Sequence, residues 1–393
     1  MKKTWRWFGP GDRVTLDMLR QIGVEGIVTA LHDIPAGEVW PVGRIAAMKG
    51  LIESHGLEWS VVESLPVSEQ IKYAGPDRDR LIANYIESLA NLGRCGIHTV
   101  CYNFMPVIDW VRTDLDRPMP DGSFSLYFDY AKFAFFDIYV LEREGARADF
   151  APDVLAKADA LQETMTEADR RQLIDTIITK TQGFINGPLG DAEGSPVERF
   201  RALMEPYKGV SKQQLRENLK YFLEAIMPVC GKWGIDMCIH PDDPPVPVFG
   251  MPRIACDAAD IRWILDAVPD PHNGLTFCAG SLSAGAHNDV PAMAREFAAR
   301  TRFVHLRSCT LLPGGDFTEA PHTAGNVSLV ELVRIFSRCP DSLPMRVDHG
   351  RRILGDGSAD YNPGYSFHGR MLALGQVEGM MAAVRNDNKN NKY

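Results

Sequence analysis

A chain of 393 residues, 45% hydrophobic and 24% charged, has ordinary globular composition and enough apolar content for a large core. Its net charge of −9 excludes a general nucleic-acid or membrane-surface binder, because no long run offers a basic face; an anionic small substrate would need local Arg or Lys residues. No window approaches the ~18 to 20 apolar residues of a membrane span, and the opening MKKTWRWFGPGDR is followed by no secretory apolar stretch, so a cytoplasmic location is expected.

Runs rich in β-branched and aromatic residues, bounded by Gly, Pro, Asp or Ser, predict eight strands. In chain order they are Thr4 to Gly9, Gly26 to His32, Trp59 to Ser64, Thr99 to Phe104, Met237 to Asp242, Leu275 to Gly280, Phe303 to Ser308 and Met345 to Gly350. Apolar spacing near 3.6 predicts helices over 15–22, 43–56, 77–95, 213–233, 257–268, 289–300, 327–338 and 365–386, several opening on the N-cap candidates Thr15, Ser211, Asp257 and Asp289. Strict alternation predicts an α/β fold, a single-domain (β/α)₈ TIM barrel over 1–393, with a doubly wound open sheet as the competitor.

One connection breaks the rhythm. About a hundred residues, 105–210, follow the fourth strand, too long for a structureless loop. Within them Tyr127 to Glu144 reads as partly strand-like and Pro152 to Thr179 as helical. An insertion there lies at the active-site face of a barrel, as a lid, a rim or an oligomer contact, and a homodimer is a weak expectation. The polar end, Asn386 to Tyr393, is expected to fray. Eight cysteines without CxxC pairs are expected to be reduced and mostly buried.

Side chains alternate faces along a strand, so parity tells which point into the barrel. Met237 and Ile239, Leu275 and Phe277, Val304 and Leu306, and Met345 and Val347 would face the helices. Cys238 and His240, Thr276 and Cys278, Phe303, His305 and Arg307, and Arg346 and Asp348 would face the axis. His240, Cys278, His305 and Asp348 then converge from the C-terminal ends of four consecutive strands. Singly each has an ordinary structural role; four good metal donors at matching depth point to one divalent-cation site. Two imidazoles with a thiolate suit zinc or ferrous iron, whereas manganese prefers oxygen and nitrogen donors.

The segments TWRWFGPGD at Thr4, GIVTALHDIP at Gly26, WSVVESLPVSEQIK at Trp59, CYNFMPVIDWVRTDL at Cys101, HPDDPP at His240, HLRS at His305, and RVDHG with NPGYS near the end carry a resemblance. With them the chain resembles the mannonate dehydratase family, a xylose-isomerase-like group of barrels in bacterial hexuronate catabolism. The resemblance implies dehydration of D-mannonate to 2-dehydro-3-deoxy-D-gluconate with Mn²⁺ or Fe²⁺. Two departures, Val246 where the family commonly carries Arg and the Arg-free stretch Ser283 to Asp289, leave the exact sugar acid open.

Such a reaction removes a weakly acidic C2 proton and expels the C3 hydroxyl, which calls for a base, an acid and a Lewis acid. His349, next to the ligand Asp348, and Tyr365, after a Pro-Gly turn, are the proton-transfer candidates, their roles undivided; the alternatives are a strand-end surface histidine and a helix-start packing residue. Arg307 is the foremost candidate for binding the substrate anion, against a structural salt bridge, followed by Arg6 and Asn103. His322 is a loop candidate for touching substrate, and Asp242 with Asp243 would order the loop after His240. The rivals are a metal-dependent sugar or sugar-acid isomerase or epimerase, a dehydratase of a related aldonic acid, a phosphodiester-cleaving barrel, which the acidic balance disfavours, and a non-catalytic barrel.

Overall fold

The computed structural model describes residues 1–181, 195–357 and 360–390. Residues 182–194 of the expected insertion and 391–393 of the expected frayed end lie outside the described residues. Among the described residues twelve strands are formed: β1 (Lys2–Arg6), β2 (Gly26–Thr29), β3 (Glu58–Glu63), β4 (Thr99–Tyr102), β5 (Asp114–Pro118), β6 (Phe124–Phe128), β7 (Asp236–Ile239), β8 (Asn273–Cys278), β9 (Thr301–His305), β10 (Cys309–Leu311), β11 (Phe317–Glu319) and β12 (Pro344–Arg346). Eight of them close in the order β1-β12-β9-β8-β7-β4-β3-β2, every neighbour parallel. Closure rules out the open doubly wound sheet.

All eight expected strands are present, but each ends earlier than the hydrophobic run suggests. Gly26 to His32 stops at Thr29, Thr99 to Phe104 at Tyr102, and Met345 to Gly350 at Arg346. The ladder is left where the chain turns to build the mouth: Asp348 has φ 51°, a left-handed backbone that cannot continue a strand. Helices start where expected because their caps are made. Thr15, Ser211, Asp257 and Asp289 each accept a hydrogen bond from the backbone N–H three residues on, a contact worth about 1 kcal/mol.

Parity holds throughout the barrel. Met237, Ile239, Leu275, Phe277, Val304, Leu306, Met345 and Val347 pack with the surrounding helices, while Val28, Val61, Cys101, Cys238 and Phe303 form a small separate cluster. That cluster draws on the opposite face of the strands and fills the barrel's interior. The eight cysteines are all free, and six are buried.

The insertion has its own apolar cluster, in which Phe133 and Phe136 meet Phe128, Phe150, Phe200, Phe249 and Phe317. The strand-like reading of Tyr127 to Glu144 is corrected: pairing ends at Phe128, and Asp129 caps a helix over Tyr130–Phe135 that continues helically to Val140. Tyr130, Phe133 and Phe136 recur at helical spacing, and that spacing prevails over β propensity. Pro152 to Thr179 is helical as expected, interrupted where a capping box at Thr166 and Asp169 restarts the helix. Not anticipated was an antiparallel accessory sheet, β10-β11-β6-β5, which joins the insertion to the segment after β9. The terminal helix Phe367–Asn390 is anchored by buried Leu374, Val377 and Val384 and extends into the polar end, where Asp387 pairs with Arg334 at 3.5 Å.

Candidate active site

His240 is the first residue beyond β7, Cys278 and His305 end β8 and β9, and Asp348 lies two residues past β12. Their donor atoms converge. His240 Nε2 is 3.3 Å from His305 Nδ1, Cys278 Sγ is 3.6 Å from Asp348 Oδ2, and His305 Nδ1 is 3.7 Å from the same oxygen. The two imidazoles and the thiol all lie within 4.8 Å of one another. Ligands held about 2.0–2.3 Å from one ion stand roughly 3.3–3.7 Å apart at tetrahedral angles, so these residues fit a divalent cation. The donors are also oriented: His240 Nδ1–H donates to the Pro241 carbonyl at 2.7 Å, which turns Nε2 toward the other donors. His305 Nε2 accepts from Arg346 Nε at 3.0 Å, so Nδ1 carries the proton that a cation would displace. Ser281 donates to Cys278 Sγ at 3.1 Å.

Around the donors runs a buried chain of alternating charge. Asp348 accepts from Arg307 Nε at 2.5 Å, from Arg346 Nη1, and from the Tyr365 hydroxyl at 3.3 Å. Arg346 reaches Glu63 at 2.9 Å, and Glu63 meets Arg6 at 3.3 Å. On the other side Arg307 bonds Asp243 at 2.6 Å and Glu319 at 3.0 Å, and Arg112 bonds Asp243 at 2.7 Å and Glu319 at 2.8 Å. Burial of these carboxylates favours the neutral acid, yet the facing cations prevail. Glu63 is pushed down to about 2 by Arg346 and Arg6, and Glu319 to about 2 by Arg307 and its bond to His349. Burial opposes protonation of His240, but the neighbouring Cys278 sulfur pushes it up to about 10 in the metal-free protein, whereas burial and Arg346 keep His305 neutral. Burial pushes Tyr365 up to about 12, so its phenol keeps its proton.

Arg6, Asn103, His240, Arg307, Asp348, His349 and Tyr365 line one cavity, together with Glu63, Asp109, Trp110, Asp243 and Arg346. Cys278 and His305 are completely buried. His349 packs against the rings of Trp110 and Tyr365, each 5.1 Å away, the latter edge-on, with Nδ1 3.3 Å from Glu319 Oε1. Asn103 donates to Asp109 at 3.0 Å. His322 is not among the lining residues: it is buried, with Nε2 bonded to the Val347 carbonyl at 2.8 Å, neither an exposed loop residue nor one facing the cavity. The Arg307 guanidinium is shared among three carboxylates. Asp242 accepts from Ala255 N–H at 2.8 Å, and Asp243 holds Arg112 and Arg307.

Sequence reasoning gave no role to Glu63, Arg112, Glu319 or Arg346. Glu63 shares strand parity with the interior residue Val61 and was open to the same test that found His240. Arg346 lay on the inward face but was given no function. Arg112 and Glu319 come from segments around the accessory sheet, for which no periodic signal exists.

A family model described as D-mannonate dehydratase (UxuA) matches residues 1–391. Mannonate dehydratase of Marinomonas sp. (strain MWYL1) is 45% identical over 98% of this chain and 99% of its own length, and that of Chromohalobacter salexigens is 46% identical over the same shares. The crystal structure of mannonate dehydratase from Streptococcus suis serotype 2 superposes with a TM-score of 0.78 at 34% identity, covering 99% of this chain and 96% of that one.

Proposed function

The chain belongs to the D-mannonate dehydratase family along nearly its whole length, and from that premise we propose how its own residues divide the reaction. The enzyme is a hydro-lyase that converts D-mannonate to 2-dehydro-3-deoxy-D-gluconate and water, a step of hexuronate catabolism. The family is metal-dependent, and His240, Cys278, His305 and Asp348 are the residues that would hold the ion, Mn²⁺ or Fe²⁺. When bound, the cation supplies Lewis acidity at the substrate's carboxylate and C2 hydroxyl, easing loss of the C2 proton.

The protein's groups do the rest. Tyr365 keeps its proton and is the donor to the departing C3 hydroxyl; His349 is the acceptor of the C2 proton. The C2–H and C3–O bonds break, a C2=C3 bond forms, and the resulting enol becomes the 2-keto product. Arg6, Asn103 and Arg307 line the same cavity and orient the sugar acid, while the Trp110 ring packs against His349 at 5.1 Å. The whole chain acts as one barrel domain, with 105–210 inserted at its mouth, in the cytoplasm. No described helix is long and apolar enough to cross a membrane.

The observation that carries this reading is that the donor cluster and the His349 and Tyr365 pair meet at one cavity. It is tested by stripping the protein, reloading it anaerobically with Mn²⁺ or Fe²⁺, and following 2-keto-3-deoxy acid formation from D-mannonate. Metal-dependent product that disappears in Asp348→Ala and His349→Ala is expected. Metal binding without product would move the substrate to another sugar acid or the reaction to isomerisation.

A further inference from the structure

Glu319 belongs to no barrel strand. It ends β11 of the accessory sheet, where Cys309 pairs with it and the preceding Phe317 and Thr318 pair with Phe128 and Tyr127 of the insertion. Its backbone carbonyl accepts from Ser125 Oγ at 3.1 Å, and the side chain is 1% exposed. From this clamped position Oε1 reaches Arg112 Nη2 at 2.8 Å, Arg307 Nη1 at 3.1 Å and His349 Nδ1 at 3.3 Å. Asp243 already bridges the same two arginines, at 2.7 Å and 2.6 Å. Among these three contacts, the one Asp243 does not duplicate by a hydrogen bond is the one to His349.

An ionised carboxylate only accepts hydrogen bonds, so a His349 nitrogen facing Glu319 must carry the ring proton. A neutral imidazole has one such proton, which leaves the lone pair on Nε2. That atom stands 3.9 Å from Asp348 Oδ1, the oxygen to which the Tyr365 hydroxyl donates. The lone pair therefore lies on the side of the proton donor and the metal ligands.

We propose that Glu319 is a positioning residue for dehydration: it holds His349 with Nδ1 protonated and Nε2 toward the substrate's C2 proton, and the accessory sheet delivers it there. This rests on the reading of His349 as the proton acceptor. Arg112 and Arg307 hold the carboxylate in place, and the insertion is thereby tied to the chemistry through β6.

The test is a double-mutant cycle on the metal-loaded enzyme, with Glu319→Gln, His349→Ala and both together, metal content and thermal midpoint being recorded for each. A group that orients a catalytic base contributes on the order of a hundredfold or more. Glu319→Gln is expected to lower kcat by about a hundredfold with KM within about threefold, and to enlarge the isotope effect with C2-deuterated D-mannonate. In the His349→Ala background it should cost nothing further, because the group it positions is gone. Losses that multiply in the double variant, or wild-type kcat in Glu319→Gln, would overturn the proposal. Should Glu319→Gln not fold, Glu319→Asp keeps the charge but draws the carboxylate back by one methylene; the same kcat loss and non-additivity are expected, and wild-type kcat overturns the proposal. A wild-type enzyme inactive on D-mannonate, or a fully active His349→Ala, overturns the reading of the site and the proposal with it. An active wild type with an impaired His349→Ala and multiplying losses overturns the Glu319 assignment alone.

Discussion

Nε2 of His240 and Nδ1 of His305 face each other across 3.3 Å at the ends of β7 and β9, with Cys278 reaching in from β8 between them. Two imidazole nitrogens hold that separation either by sharing a proton or by sharing an ion. Arg346 donates to the far nitrogen of His305, and the Pro241 carbonyl accepts from the far nitrogen of His240, so both rings are fixed in orientation before any ion arrives.

Metal loss should therefore be visible in stability as well as in activity. With metal at about 100 times its dissociation constant, binding to the folded form adds about 2.7 kcal/mol. Chelation of the wild type should lower the thermal midpoint, and Cys278→Ala should bind less metal and show little change on chelation. Equal metal content in Cys278→Ala and wild type, by elemental analysis, would remove the thiolate from the ligand set.

Tyr365 packs against Phe8 at 5.0 Å and His349 at 5.1 Å, contacts that Tyr365→Phe preserves. Only the hydroxyl is lost, so unfolding free energy should change by about 1 kcal/mol, whereas kcat should fall by about 10² to 10⁴ with metal retained. Steady-state kinetics and denaturant titration on the same preparation separate the two. Unchanged kcat would take the proton-donor role from this residue.

Arg307 was expected from its strand face to bind the substrate anion, yet Asp243, Glu319 and Asp348 all hold its guanidinium. Removing a buried partner leaves those carboxylates uncompensated, at a cost of about 3–5 kcal/mol. Arg307→Met should lower the urea midpoint by a corresponding amount. KM should rise as well, because Arg307 also orients the sugar acid; an unaltered midpoint would mean that these ion pairs do not form in solution.

Acid should unfold the metal-free protein through the same network. Glu63 and Glu319, ordinarily near 4.5, are pushed down to about 2 in the fold, so their stabilisation is complete above about pH 4.5 and is lost as pH falls toward 2. His305, kept neutral by burial and Arg346, acts in the same direction below about pH 6.5, since only the unfolded chain takes up its proton. The denaturant midpoint should drop steadily from pH 6 to 3. A flat profile over that range would mean that these groups are not ion-paired in solution.

The part of the site legible in the sequence is the part written on strands. His240, Cys278, His305 and Asp348 were found by parity alone, and each arrived where parity put it, even Asp348, whose own backbone has left the ladder. His322 lies in a loop as expected, but no period governs which way a loop side chain turns; its ring is buried against the Val347 carbonyl. Arg112 and Glu319, 207 residues apart in the chain, meet at 2.8 Å through an accessory sheet that no local pattern announces.

By itself the sequence determined the barrel and the inward and outward faces of its strands, and so which side chains share its mouth, because a period of two residues is a local property that each strand carries alone. Tertiary structure decided which charges meet: Arg346 and Glu63, separated by 283 positions, come within 2.9 Å only when the sheet closes. It also decided that His349 has Glu319 behind it. Such pairings depend on closure and on the docking of the insertion, and burial makes them obligatory, since a charge excluded from water must find a partner wherever the chain has placed one.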